Sequence, residues 1–150
     1  MTNLLGTTGA ADTSSDSFLS NRKLTRGIGY GLSALVVLFL LMDGVMKLMA
    51  MDIVMQTMGE LGWPNSQMLA RGLGLLLFVC VGLYCAPRTS VLGAVLLTGY
   101  LGGAIATHVR VGNPLFSHDL FGVYLGLFVW GGLYLREPRL RALFPLRAAI

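Results

Sequence analysis

The chain has 150 residues, of which 55% are hydrophobic and only 12% charged, with a formal net charge of +4. One domain fits this length. That composition leaves too little polar surface to coat a water-soluble globule, and the positive charge is not a stripe of the kind that grips nucleic acid. It is split among the ends of four apolar runs at about 27–50, 68–86, 90–107 and 119–135. Each run is near the roughly 20 helical residues that cross a hydrocarbon core. The fold class expected is an all-α integral membrane protein, a four-transmembrane-helix bundle. The domain itself is expected over 25–137.

Residues 1–24 begin with a stretch rich in Ser, Thr, Asp and Gly and close on the basic residues Arg22 and Lys23. No basic start or adjoining cleavage site marks a secretory signal, so this segment is expected to be a disordered tail before a signal anchor. The first span carries Gly27 and Gly31, then an aliphatic stretch, then Asp43 and Lys47 near its far end. A separation of four residues puts this acid and base on one helix face, within pairing reach. A longer loop follows over 51–66, apolar enough around Ile53, Val54 and Met55 to form an interfacial turn or short helix. Trp63 suits the headgroup level, and Asn65 or Ser66 suits an N-cap.

The second span carries Arg71 in its first turn and ends at Ala86-Pro87-Arg88, where Pro87 enforces a tight turn. Cys80 and Cys85 diverge by about 140° around the helix, so they are expected to be packing residues and not a redox pair. In the third span, Ala94, Thr98, Gly102 and Ala106 form one small-residue stripe, and Gly99 with Gly103 forms another. Two such stripes let this helix be a close-packed centre of the bundle. It leads to His108 and Arg110. After a Gly-Asn-Pro turn, His118 and Asp119 open the fourth span. Trp130 and Tyr134 mark its other interface. A basic amphipathic tail over 138–150 is expected to lie against anionic lipid.

Charge asymmetry sets the expected orientation. Eight Lys and Arg residues (Arg22, Lys23, Arg26, Arg88, Arg136, Arg139, Arg141 and Arg147) fall on one side, and three (Lys47, Arg71 and Arg110) on the other. By the positive-inside rule both termini are cytoplasmic. The chain is then a multi-pass protein of the bacterial inner (cytoplasmic) membrane. With that topology Asp43, Lys47, Arg71, His108, Arg110, His118 and Asp119 all approach the outer end of the bundle. Ionisable groups in or beside a membrane span are candidate binding residues by default. Each also has a structural reading: a self-neutralising pair, a lipid-phosphate contact, a helix-end charge or a packed polar side chain. No metal site is expected, because His108, His118 and Asp119 match no ligand spacing. Ser117, His118 and Asp119 are adjacent and cannot form a hydrolase relay.

Three segments are similar to one known family. Asp43-Gly44-Val45-Met46-Lys47-Leu48 resembles that family's small-residue–x-x-Lys end of span one. Leu61-Gly62-Trp63-Pro64 resembles its Leu-Gly-aromatic-Pro loop. Gly103-Ala104 through His108-Val109-Arg110 resembles its His-x-Arg end of span three. The chain thus resembles the DoxX-like family of small four-helix bacterial membrane proteins over about residues 25–137. The resemblance implies the bundle and marks Lys47, His108 and Arg110 as family-pattern positions. It implies little about activity. The family name comes from a subunit associated with a thiosulfate–quinone oxidoreductase, and related small proteins act in stress complexes, maturation or assembly.

The function expected is an accessory or assembly subunit with a polar ligand or partner site at the outer end of the bundle. The alternatives are a quinone-binding component of a membrane oxidoreductase and a small-substrate membrane enzyme with an Asp43–His108 acid–base pair. Quinone is the cofactor class considered, and a partner would have to supply an electron carrier. The expected partners are the lipid bilayer and a protein partner or second copy of the chain, not nucleic acid. Four helices without a visible inverted repeat argue against a monomeric transporter.

Overall fold

Lipid offers no hydrogen-bond partners, so an apolar chain satisfies its backbone within helices. The computed structural model describes residues 8–112 and 120–143, with side chains described over 23–112 and 120–141. Its elements are α1 (Thr8–Leu48), α2 (Asp52–Glu60), α3 (Gln67–Cys85), α4 (Ser90–Arg110), α5 (Leu120–Arg136) and α6 (Pro138–Leu143). Three described segments, in α1, α3 and α4, are long and apolar enough to cross a membrane, and α5 is a shorter apolar helix of 17 residues. His118 and Asp119, placed at the start of the fourth span by the sequence, lie outside the described residues.

Several local features follow the sequence reading. The helix in the first loop is present as α2. Ser66 is the N-cap of α3, and its side chain accepts a hydrogen bond from the Leu69 amide at 3.4 Å. Cys80 is buried, as expected of a packing residue, but Cys85 is exposed and corrects the expectation for it, because the two diverge around the helix. The start of α1 differs, because the helix reaches back to Thr8, into the segment expected as tail. Extending a nucleated helix fixes one residue per bond gained, so a polar stretch can continue an apolar helix at little cost.

The four long helices form a ring in which α1 packs on α3 and α5, and α4 packs on the same two. α1 and α4 therefore stand diagonally. The main core cluster fills the middle with Val36 and Leu40 of α1, Leu77 and Tyr84 of α3, Leu97 and Leu101 of α4, and Leu125, Val129 and Leu133 of α5. A small second cluster, Ala50, Met58 and Ala70, fastens α2 to α3.

α4 is not the close-packed centre that its stripes allow. α4 has only two main neighbours. A Cβ added at Gly99, Gly102 or Gly103 would meet nothing within 4 Å. Small residues permit a close approach but do not specify which helix makes it. Here α4 points its large side chains, Leu97 and Leu101, into the core and turns the glycines away. The tight approaches lie elsewhere. Gly93 of α4 rests directly on the Tyr84 backbone of α3, and Gly132 of α5 on Gly29 and Ser33 of α1.

Tyr84 ties the end of the bundle bearing the α3–α4 turn and α6, here called the basic end. It is fully buried. Its hydroxyl donates to the Val129 carbonyl at 2.9 Å and lies 3.0 Å from the Ser33 hydroxyl. The Arg136 guanidinium lies 4.6 Å from its ring centroid and donates to its carbonyl at 3.0 Å. Arg141 of α6 turns back to donate to the Tyr134 and Leu135 carbonyls at the end of α5. Nearby, the Trp130 indole donates to Thr98 at 2.8 Å, joining α5 to α4.

These contacts predict an order of effects in reversible unfolding from mixed micelles. Tyr84→Phe keeps the packing and loses two interhelical hydrogen bonds, costing about 1 kcal/mol. Gly93→Val forces side-chain atoms against backbone and costs more, about 2–3 kcal/mol. Gly102→Val, with open space around it, leaves stability within about 0.5 kcal/mol.

Candidate functional site

At the end opposite Tyr84 the ring opens around a cavity of about 630 Å³. This lies within the roughly 300–1,000 Å³ of small-molecule sites. Helical spacing explains what lines it. On α1, Phe39, Leu40, Asp43, Met46 and Lys47 share one face, and all five line the cavity. On α4, Tyr100, Ala104 and His108 recur every four residues and face it from the diagonal side. α3 contributes Leu73 and Leu76, and α5 contributes Phe121, Gly122 and Leu125. α2 and the loop after it form the roof, through Ile53, Val54, Thr57, Met58, Leu61 and Trp63.

Depth follows from residue count. Leu40 and Leu101 belong to the core cluster and line the cavity. Lys47 and His108 each stand seven residues further along their helices, about 10 Å towards the roof at 1.5 Å per residue. Asp43 is one turn below Lys47, and Tyr100 is beside the floor. The cavity thus has an apolar floor and walls, a polar upper rim and one phenol low down.

The charged centre of the rim is an ion pair. Lys47 Nζ lies 2.5 Å from Asp43 Oδ1, and the two side chains are 21% and 32% exposed. They neutralise one another, which makes two charges tolerable beside apolar walls. Their remaining exposure leaves them reachable by a molecule in the cavity. An ammonium carries three donor hydrogens and a carboxylate about four acceptor positions, so one mutual contact does not exhaust either group. His108 is half-buried at the same level.

The seven residues singled out by the sequence separate into four groups. Asp43, Lys47 and His108 are brought together on the cavity wall. Arg71 is on an exposed face of α3 and does not line the cavity. Arg110 does not line it either, but its guanidinium donates to the Leu61 carbonyl at 2.5 Å and lies 3.4 Å from where a Gly62 Cβ would stand. Gly62 has φ +72°, which only glycine adopts freely. Arg110 therefore straps the turn that closes the roof onto the end of α4, a positioning role. His118 and Asp119 fall outside the described residues. Among the described residues, no three His, Cys, Asp or Glu side chains gather as a metal site would need.

Tyr100, Thr57 and Trp63 also line the site, although sequence reasoning did not place them there. Tyr100 was the detectable one. It is eight residues before His108, hence on the same helix face, and it is the only phenol within the third apolar run.

The model of the DoxX-like family matches residues 31–132, more than half of the chain and all of the cavity lining. Neither a curated protein nor a solved structure matches the chain.

The strap makes a local prediction. In Arg110→Gln, hydrogen exchange of the amides around Gly62 and Trp63 rises at least about fivefold, the equivalent of losing one hydrogen bond of roughly 1 kcal/mol. Exchange in the middle of α3 stays unchanged. Equal rates in both proteins would show that the guanidinium does not hold the turn.

Proposed function

We propose a ligand-binding role for this chain, which belongs to the DoxX-like family. It is an accessory or assembly membrane protein that holds a small amphiphile in the cavity between its helices. The observation that carries this reading is the placement of Asp43, Lys47 and His108 together on the wall of a mostly apolar cavity of about 630 Å³. Apolar walls favour a hydrocarbon or ring body, and the rim fixes a polar head. A structural ion pair needs only to be neutralised and does not require an open cavity beside it.

In the membrane, α5 is the fourth span, both termini are cytoplasmic and the cavity faces the outer side of the bacterial cytoplasmic membrane. The eight-to-three bias of basic residues supports that orientation. Arg71 stays at the membrane surface, where it meets lipid phosphate. A protein partner or second copy then reads the state of the cavity from the roof.

The donors around the cavity favour one further reading, a quinone as the amphiphile. Lys47 or His108 would donate to one carbonyl oxygen, and the Tyr100 hydroxyl lies deeper along the same wall. The partner would supply the electron carrier.

Gentle purification followed by native mass spectrometry, with lipid and quinone extraction, tests the role. The native protein retains a small amphiphile, and Lys47→Met and His108→Ala lose it while remaining folded and abundant. An empty native protein would contradict the reading. So would variants that lose about 3–5 kcal/mol of stability, as breaking a purely structural buried pair does, while binding is unaffected.

A further inference from the structure

The cavity has four side walls, each a seam between neighbouring helices, and three are shut at its level by direct contact. Between α1 and α3, Gly74 lies so close that a Cβ there would be 3.0 Å from the Gly44 carbonyl and 3.1 Å from Lys47 Cβ. Between α1 and α5, the Phe39 and Phe121 rings meet edge to face at 4.9 Å. Between α4 and α5, a Cβ on Gly122 would be 2.8 Å from the Ile105 side chain.

The α3–α4 seam differs. It is tight only at the basic end, where Gly93 rests on the Tyr84 backbone. Towards the cavity, Leu76 of α3 and Gly99, Gly103 and Ala104 of α4 line the hollow and are exposed. Leu76 is 50% exposed. A Cβ on Gly99 or Gly103 would meet no atom within 4 Å. Exposed lining residues over which no described neighbour closes border an opening. The described residues that border it, Leu76, Gly99, Gly103 and Ala104, are uncharged, and it lies within two helices long and apolar enough to cross a membrane.

We infer that the ligand is dissolved in the bilayer and reaches the cavity sideways, between the cavity-end halves of α3 and α4, with Gly99 and Gly103 as the sill of the portal. This rests on the ligand-binding reading above and narrows it to a single-chain or ring amphiphile. Such a molecule keeps its body in hydrocarbon throughout and brings its head to Lys47 and His108 only at the end of the path. The open glycines of α4, against which no described residue of another helix packs, then have a use: they keep the gap wide enough for a chain.

The test uses the full chain in phosphatidylcholine vesicles containing palmitic acid with a diazirine near mid-chain. After illumination, labelled peptides are mapped by mass spectrometry. In the native protein, label is expected on the cavity face of α1, around Phe39 and Met46. Gly99→Leu/Gly103→Leu should fill the gap and lower that label at least about tenfold, because close-packed side chains leave no passage. Gly102→Leu, on the neighbouring face of α4, should leave it unchanged. Leucine favours helix over glycine, and the melting temperature of each variant checks its fold. Leu76→Trp blocks the opposite rim, should the double variant fold poorly. Cavity label that persists in folded, blocked protein overturns lateral access and leaves the ligand reading intact. Absence of cavity label from the native protein overturns the bilayer-dissolved ligand itself, and native mass spectrometry of the same sample then shows whether the cavity holds anything else.

Discussion

The shape of the bundle is set by where two backbones touch. Gly93 on the Tyr84 backbone and Gly132 on Gly29 draw the helices together at the basic end. Tyr84 adds interhelical hydrogen bonds and a cation–π contact there. At the cavity end the seams at α1–α3, α1–α5 and α4–α5 are closed by direct contacts, while among the described residues nothing lies against Gly99 or Gly103 of α4. The cavity lies at the end opposite this tight base, and Asp43, Lys47 and His108 line it.

A charged pair needs such a place. In hydrocarbon, Asp43 and Lys47 would be expensive. One turn apart near the end of α1, they compensate one another and face the hollow. α2 covers the hollow, held to α3 by the Met58 cluster and to α4 by Arg110 through the Leu61 carbonyl. Arg110 thus acts on the site by holding its roof, at a distance from whatever binds within.

Much of the fold was legible because apolar runs and turn residues act locally. The ends of α3 and α4, the short helix α2, the Ser66 cap and the Asp43–Lys47 pair follow from spacing alone. What packs against what did not. Gly93, a lone small residue outside both α4 stripes, makes the tightest approach, and the stripe glycines make none. A glycine records room for a neighbour without recording which neighbour takes it. For the site, spacing along α1 and α4 brought Asp43, Lys47 and His108 into view. It could not say that Arg71 turns outward, since rotation of α3 is fixed by Leu77, Cys80 and Tyr84 entering the core. Nor could it show Arg110 reaching the Leu61 carbonyl, a contact that depends on how the chain returns over the cavity.

The central claim is that the Asp43–Lys47 pair serves the cavity and not only the helix. Exchanging the two residues, as Asp43→Lys/Lys47→Asp, keeps an ion pair of the same spacing on the same face but moves the lysine's attachment one turn down, away from His108. The measurement is the amount of amphiphile co-purifying with the exchanged protein, relative to native protein of equal melting temperature. The account predicts a folded protein that has lost its ligand, because the ammonium no longer stands at the rim beside His108. A folded, exchanged protein that keeps its full complement of ligand would contradict it.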